Sequence, residues 1–140
     1  MDQFCINVTD LEKSVHFYET LLDFEVTHRV EIPNLTEVDL AGEDGNRIQL
    51  AWHHDHEGPI EHGSALWKFY LSTDDCEGLY QRCMDAGIES ISPPERLDDW
   101  PVTAAFVSDP GGYQVEILQH HAPTPQGLSG PAANKSSDGN

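Results

Sequence analysis

The chain has 140 residues, and its 25 Asp and Glu against 7 Lys and Arg give a formal charge of −18. Such a field repels phosphate backbones and anionic headgroups, so neither nucleic acid nor a membrane surface is an expected partner. The length suits one domain, and Cys5, Cys76 and Cys83, lacking metal-site spacing, read as reduced thiols of a cytoplasmic protein.

Residues 3–8 alternate as a strand, with Phe4, Ile6 and Val8 on one face and Gln3, Cys5 and Asn7 on the other. Asp10 is a good helix N-cap, and beyond it Leu11, Val15, Tyr18 and Leu22 form an apolar stripe. Residues 25–30 and 36–40 predict two strands separated by a break at Pro33, residues 42–46 a tight turn, and residues 47–52 a fourth strand. A polar connector follows over residues 53–63. Its His53, His54, His56 and His62 beside Asp55 and Glu57 make adventitious metal binding chemically possible, but the ordinary reading is a solvated acidic linker.

The order then repeats. Residues 66–72 predict a strand, with Trp67, Phe69 and Leu71 toward the helices and Lys68, Tyr70 and Ser72 opposite. Asp74 or Asp75 caps a helix running to Ala86, and Gly87 stops it. Residues 88–91 are extended, Pro93 and Pro94 interrupt, and residues 94–100 form a loop, either over a pocket or as a plain surface excursion. Residues 101–107 and 113–119 supply the last two strands. From His121 the composition turns to Pro, Gly and Ser without apolar period, which predicts a disordered tail over 121–140. The result is an α+β domain of two βαβββ modules, 1–56 and 64–120, with helices on the outside. Neither module alone would bury much, which favours a shared interface.

Period-two geometry puts Gln3, Gln49, Lys68 and Glu116 on the non-helical faces of their strands. Polar groups there belong either to a solvated face or to a pocket, and spacing leaves both open. Trp52 and Trp67 are expected under the helices, and Trp100 is the better candidate for a pocket wall.

The segment Asn7-Val8-Thr9-Asp10-Leu11-Glu12-Lys13-Ser14-Val15-His16-Phe17-Tyr18, with Leu21-Leu22-Asp23-Phe24 and the closing Asp109-Pro110-Gly111-Gly112-Tyr113-Gln114-Val115-Glu116-Ile117-Leu118, resembles the vicinal oxygen chelate superfamily. That group includes glyoxalase I, bleomycin-resistance proteins and extradiol dioxygenases. The resemblance spans residues 1–120. It implies curled mixed sheets around a cleft and a homodimer, with pairing of the modules within one chain or across the dimer left open; in the familiar bacterial type Gln3 and Gln49 of one chain would meet Lys68 and Glu116 of the other.

The resemblance also implies four metal-ligand positions, and here they hold Gln3, Gln49, Lys68 and Glu116. Gln3 and Glu116 are acceptable ligand types. Gln49 stands where a carboxylate is usual, and Lys68 where an imidazole is usual. A protonated lysine has three donors and no lone pair, so it cannot ligate a divalent ion. The set looks degenerate: no cofactor is expected, a divalent metal being the weaker alternative. Lys68 is expected to bond instead to Glu116 and to the amide oxygens of Gln3 and Gln49.

Two functions follow from the resemblance. One is metal-free binding of a small molecule in the cleft between modules, as in drug-sequestering members. The other is a glyoxalase-type lyase or isomerase moving a proton next to a carbonyl, with Glu116 as base and Lys68 steadying the oxyanion. In either, Asn7, Arg47 and Tyr70 would orient polar groups of the ligand, and Trp100 would wall the pocket.

Overall fold

In the computed structural model, which describes residues 2–121, each half of the chain folds into one four-stranded sheet carrying a helix. Strands β1 (Phe4–Asn7), β2 (Glu25–Ile32), β3 (Leu35–Ala41) and β4 (Arg47–His53) lie in the order β1-β4-β3-β2. Strands β5 (Phe69–Ser72), β6 (Glu89–Arg96), β7 (Val102–Ser108) and β8 (Gln114–His120) repeat it as β5-β8-β7-β6. The first strand of each sheet runs parallel to the last, and the other pairings are antiparallel. This is the α+β architecture of paired βαβββ modules with mixed sheets. The expected curl is corrected: both sheets are open, with β1 and β2, or β5 and β6, as unpaired outer edges. Four strands are too few to bring those edges together. The tail beyond His121 lies outside the described residues, whereas His121 itself extends the second sheet, its N–H donating to the Pro101 carbonyl at 2.8 Å.

Helix starts repeat with the sheets. Asp10 caps α1 (Leu11–His16) by accepting from the Lys13 N–H at 3.2 Å, and Asp75 caps α2 (Cys76–Asp85) by accepting from the Gly78 N–H at 2.9 Å. Each carboxylate satisfies a donor that the first helical turn leaves unpaired. The first helix does not continue as α to Leu22. Phe17–Leu21 widen into a π-helical turn, and Asp23 leaves it in the left-handed region at φ 64°. Phe17, Tyr18 and Leu21 are all buried within that turn.

Pro93 and Pro94 do not interrupt β6, contrary to expectation. The strand is an outer edge, and its register against β7 shifts between Ser90 and Ser92 and again between Ser92 and Glu95. Prolines at an edge bulge cost no ladder hydrogen bond.

One apolar core runs through both halves. Ile6, Val8, Leu11 and Phe17 of the first meet Leu79, Val107, Val115 and Ile117 of the second. Cys76 and Cys83 are buried in it, and Cys5 is exposed. Burial pushes the Cys76 thiol up to about 11, with Glu77 and Asp75 adding to it. Two hydroxyls stitch the halves: Tyr18 donates to Asp109 Oδ2 at 2.7 Å, and Tyr113 to the Asn7 carbonyl at 2.8 Å. No described helix is long and apolar enough to cross a membrane.

Candidate functional site

Glu116 sits at the centre of β8, opposite Tyr70 on β5 and Phe106 on β7. Its neighbours Val115 and Ile117 are buried in the core, so alternation sends Glu116 to the other face of the sheet. Lys68, one residue before β5, brings Nζ to 2.7 Å from Glu116 Oε1, with the two side chains only 11% and 10% exposed. Oε1 has no other partner among the described residues, so the ammonium is what compensates its burial. The same ammonium lies 3.9 Å from the ring centroid of Trp67, 4.8 Å from that of Tyr70 and 5.2 Å from that of Phe106. Aromatic faces attract cations, so Lys68 occupies a cage of three rings and one carboxylate. Burial pulls its pKa down, but Glu116 and then Tyr70 outweigh that, and the net shift is upward from 10.5. Lys68 is therefore an ammonium at neutral pH.

The amide partners expected for Lys68 are not both at hand. Gln49 is in the other sheet, opposite Cys5 and Asp39, and its Nε2 donates to Asp39 Oδ1 at 2.8 Å. It occupies on the first sheet the place that Glu116 occupies on the second, and each reaches only its own sheet's neighbours. Gln3 lines, with Arg47, Lys68 and Tyr70, a cleft of about 1560 Å³ to which both modules contribute, whereas Glu116 does not line it. Asn7 is turned elsewhere, its Oδ1 lying 3.0 Å from His53 Nε2.

Three tryptophans depart from or qualify their expected places. Trp67 is 70% exposed rather than under a helix, because β5 begins only at Phe69 and strand alternation does not reach it. Trp52, near the end of β4, is also partly exposed, its ring 4.3 Å from that of His54. Trp100, between β6 and β7, is 64% exposed and does not line the large cleft. The connector over residues 53–63 is exposed except at Ile60, and one of its histidines is tied to the second module. His62 Nε2 lies 2.9 Å from the Gly111 carbonyl and its ring packs edge-on to Tyr113.

Three residues of the site escaped the sequence reading: Trp67, Phe106 and Asp39. For the last two a signal existed. Val38 and Leu40 are core residues, so alternation along β3 places Asp39 on the same face as Gln49, and β7 treats Phe106 likewise beside Glu116. Trp67 gave none, because its contact with Lys68 is made from a loop.

A divalent ion does not fit this donor set. Lys68 offers no lone pair, and its positive charge stands 2.7 Å from Glu116 Oε1, where it would repel an ion. Gln49, which donates its nitrogen to Asp39, could offer only a neutral carbonyl oxygen where a carboxylate is usual. Among the described residues, no group of three or more His, Cys, Asp and Glu side chains is placed to hold a metal.

The profile of the Glyoxalase/Bleomycin resistance protein/Dioxygenase superfamily matches residues 1–117, and the chain belongs to that superfamily. A lactoylglutathione lyase of Haemophilus influenzae is 27% identical over 128 residues, 88% of this chain and 93% of the relative. A probable lactoylglutathione lyase of Synechocystis sp. is 25% identical over 118 residues, 81% of this chain and 90% of the relative. Among solved structures, glyoxalase I from Zea mays superposes with a TM-score of 0.79 at 19% identity, over 88% of this chain and 45% of that one. This chain thus spans about half of the maize protein. A glyoxalase family protein from Bacillus cereus superposes with a TM-score of 0.76 at 14% identity, over 87% of this chain and 94% of that one. At such identities the superpositions speak for the fold alone.

Proposed function

We propose that this chain binds a small organic molecule beside the Lys68–Glu116 pair, where Lys68 and Tyr70 border the cleft between its modules, and without a divalent metal. The observation that carries this reading is the 2.7 Å ion pair itself, which puts a side-chain cation where the superfamily resemblance implies a ligand to a metal. Gln3, Arg47 and Tyr70 line the same cleft and would orient the ligand. Asn7, Gln49 and Trp100 would join them only from a second copy of the chain, and a homodimer is part of this proposal. Calorimetry with zinc or nickel on metal-stripped protein tests the metal clause: micromolar or tighter binding at this cleft would refute it. The double variant Lys68→His, Gln49→Glu supplies the positive control, because one amide oxygen, one imidazole and two carboxylates suit both ions. Screening a small-molecule library by NMR tests the binding clause, which fails if no hit perturbs residues 67–70 or Glu116.

A second reading is favoured by the relatives, which are described as lactoylglutathione lyases. Here Glu116 takes a proton next to a carbonyl whose oxygen rests on Lys68. Because Lys68 covers Oε1, Glu116 becomes a base only once a substrate has drawn the ammonium aside. Exchange of carbonyl-adjacent hydrogen for solvent deuterium, abolished by Glu116→Gln, is the expected signature. A library ligand that shows no exchange favours the first reading.

A further inference from the structure

The charge and shape of the site narrow the class of ligand, resting on the binding reading above. Lys68 and Glu116 form a neutral pair, and the ammonium still has donor capacity for an incoming oxygen, since it carries three N–H groups. A fully anionic oxygen would have to share that ammonium with a carboxylate 2.7 Å away. It would also sit beside a cleft, bordered by Lys68 and Tyr70 but not by Glu116 or Trp67, whose seven carboxylates, among them Asp44, Asp74 and Asp75, outnumber Arg47, Lys68 and Arg82. Arg82 is already paired with Asp23 at 3.2 Å. A cationic ligand fares no better, because the aromatic cage that would hold it contains Lys68. The walls beside the ammonium are two aromatic side chains that remain open to a flat partner, Trp67 at 70% and Tyr70 at 66% exposure. Covering such faces with a planar molecule releases water from apolar surface and adds ring-to-ring attraction.

We infer that this site selects an uncharged planar molecule bearing an acceptor oxygen, such as a ketone, aldehyde or amide, with that oxygen on Lys68 Nζ and its face against Trp67 or Tyr70. Acetophenone, benzoate and benzylammonium share one ring and differ in charge, and so isolate the claim. Each is titrated into the full chain at low ionic strength while the indole N–H signals are followed by NMR, with Trp67 assigned from its absence in Trp67→Leu. Acetophenone is expected to move the Trp67 signal and to bind at least about tenfold tighter than either ion, the scale of one lost polar contact or one unfavourable charge. Trp67→Leu, at a position 70% exposed, is expected to weaken acetophenone at least about threefold, the lower range for one lost stacking contact. Lys68→Met is expected to erase the preference for the carbonyl compound. Benzoate binding at Trp67 as tightly as acetophenone would overturn the selection by charge while leaving the binding reading intact. No response of Trp67 to acetophenone, or full affinity in Trp67→Leu, would overturn the placement of the ligand.

Discussion

Lys68 and Glu116 are coupled by burial as much as by charge. With both side chains about nine-tenths covered, removing the ammonium leaves an oxygen with no other partner. Lys68→Met is therefore expected to destabilise the protein by about 3 kcal/mol, the lower range for breaking a buried pair. Adding Glu116→Gln should recover more than half of that loss, because the stranded charge disappears with it. Urea unfolding of the two single variants and the double closes the cycle, and strictly additive losses would show that the residues do not act as a pair. Much of this pair was legible in the chain, since β8 alternates without a bulge and Lys68 precedes its parallel partner β5 in register. The aromatic cage was legible only in part: alternation along β7 gives the face of Phe106, but Trp67 comes from a loop.

At the scale of elements, the turn joining β7 and β8 is held by Asp109. Its Oδ1 accepts from the Gly111 and Tyr113 N–H groups at 2.8 and 2.9 Å, and its Oδ2 from the Tyr18 hydroxyl at 2.7 Å. Tyr18→Phe should cost about 2 kcal/mol, because a buried carboxylate oxygen loses its donor. Burial raises the Asp109 pKa above its ordinary 3.8, against the opposing pull of those hydrogen bonds. A raised folded pKa means that the native state holds the proton more tightly than the unfolded chain does. The stability this contributes is full below pH 3.8 and is lost as pH rises through the folded value. Wild type minus Asp109→Asn stability, from urea unfolding across that range, should therefore fall as pH rises, and a flat difference would contradict the shift. The same turn needs Gly112, whose φ is +91° and whose added Cβ would sit 2.8 Å from His62 Nε2. Gly112→Ala should cost more than Gly45→Ala, which has φ +84° but open space around it. The left-handed backbone alone accounts for about 1–2 kcal/mol in each, so comparing the two melting curves isolates the His62 contact.

For the whole molecule, charge is the dominant long-range term. A formal −18 on 140 residues disfavours the compact state through self-repulsion. Raising sodium chloride from about 0.01 M to about 0.5 M shortens the screening length severalfold, so the melting temperature should rise. A flat or falling response would mean that ion pairs such as Arg29 with Glu12 and Glu31 outweigh the repulsion. The proposed dimer predicts a light-scattering mass of two chains at micromolar concentration. A single-chain mass would remove the second copy from the site and leave Gln49 with Asp39 as its partner.

By itself the sequence determined the duplicated βαβββ order, the Asp10 helix cap, an Asp cap at residue 74 or 75, and the faces of β4 and β8, because these depend on local capping and on a side-chain period of two. Chain-local rules could not decide the path of β6 through Pro93 and Pro94, which depends on its being an edge strand with a shifting register. They could not decide that α1 gives way to a wider turn carrying the buried Tyr18, or that Tyr18 reaches across 91 positions to Asp109. Above all, only the tertiary structure decided that Gln49 answers to Asp39 and that three rings surround Lys68. Alternation says which face a side chain takes, but the partner it meets there is set by how strands align across the sheet and which loops fold over it.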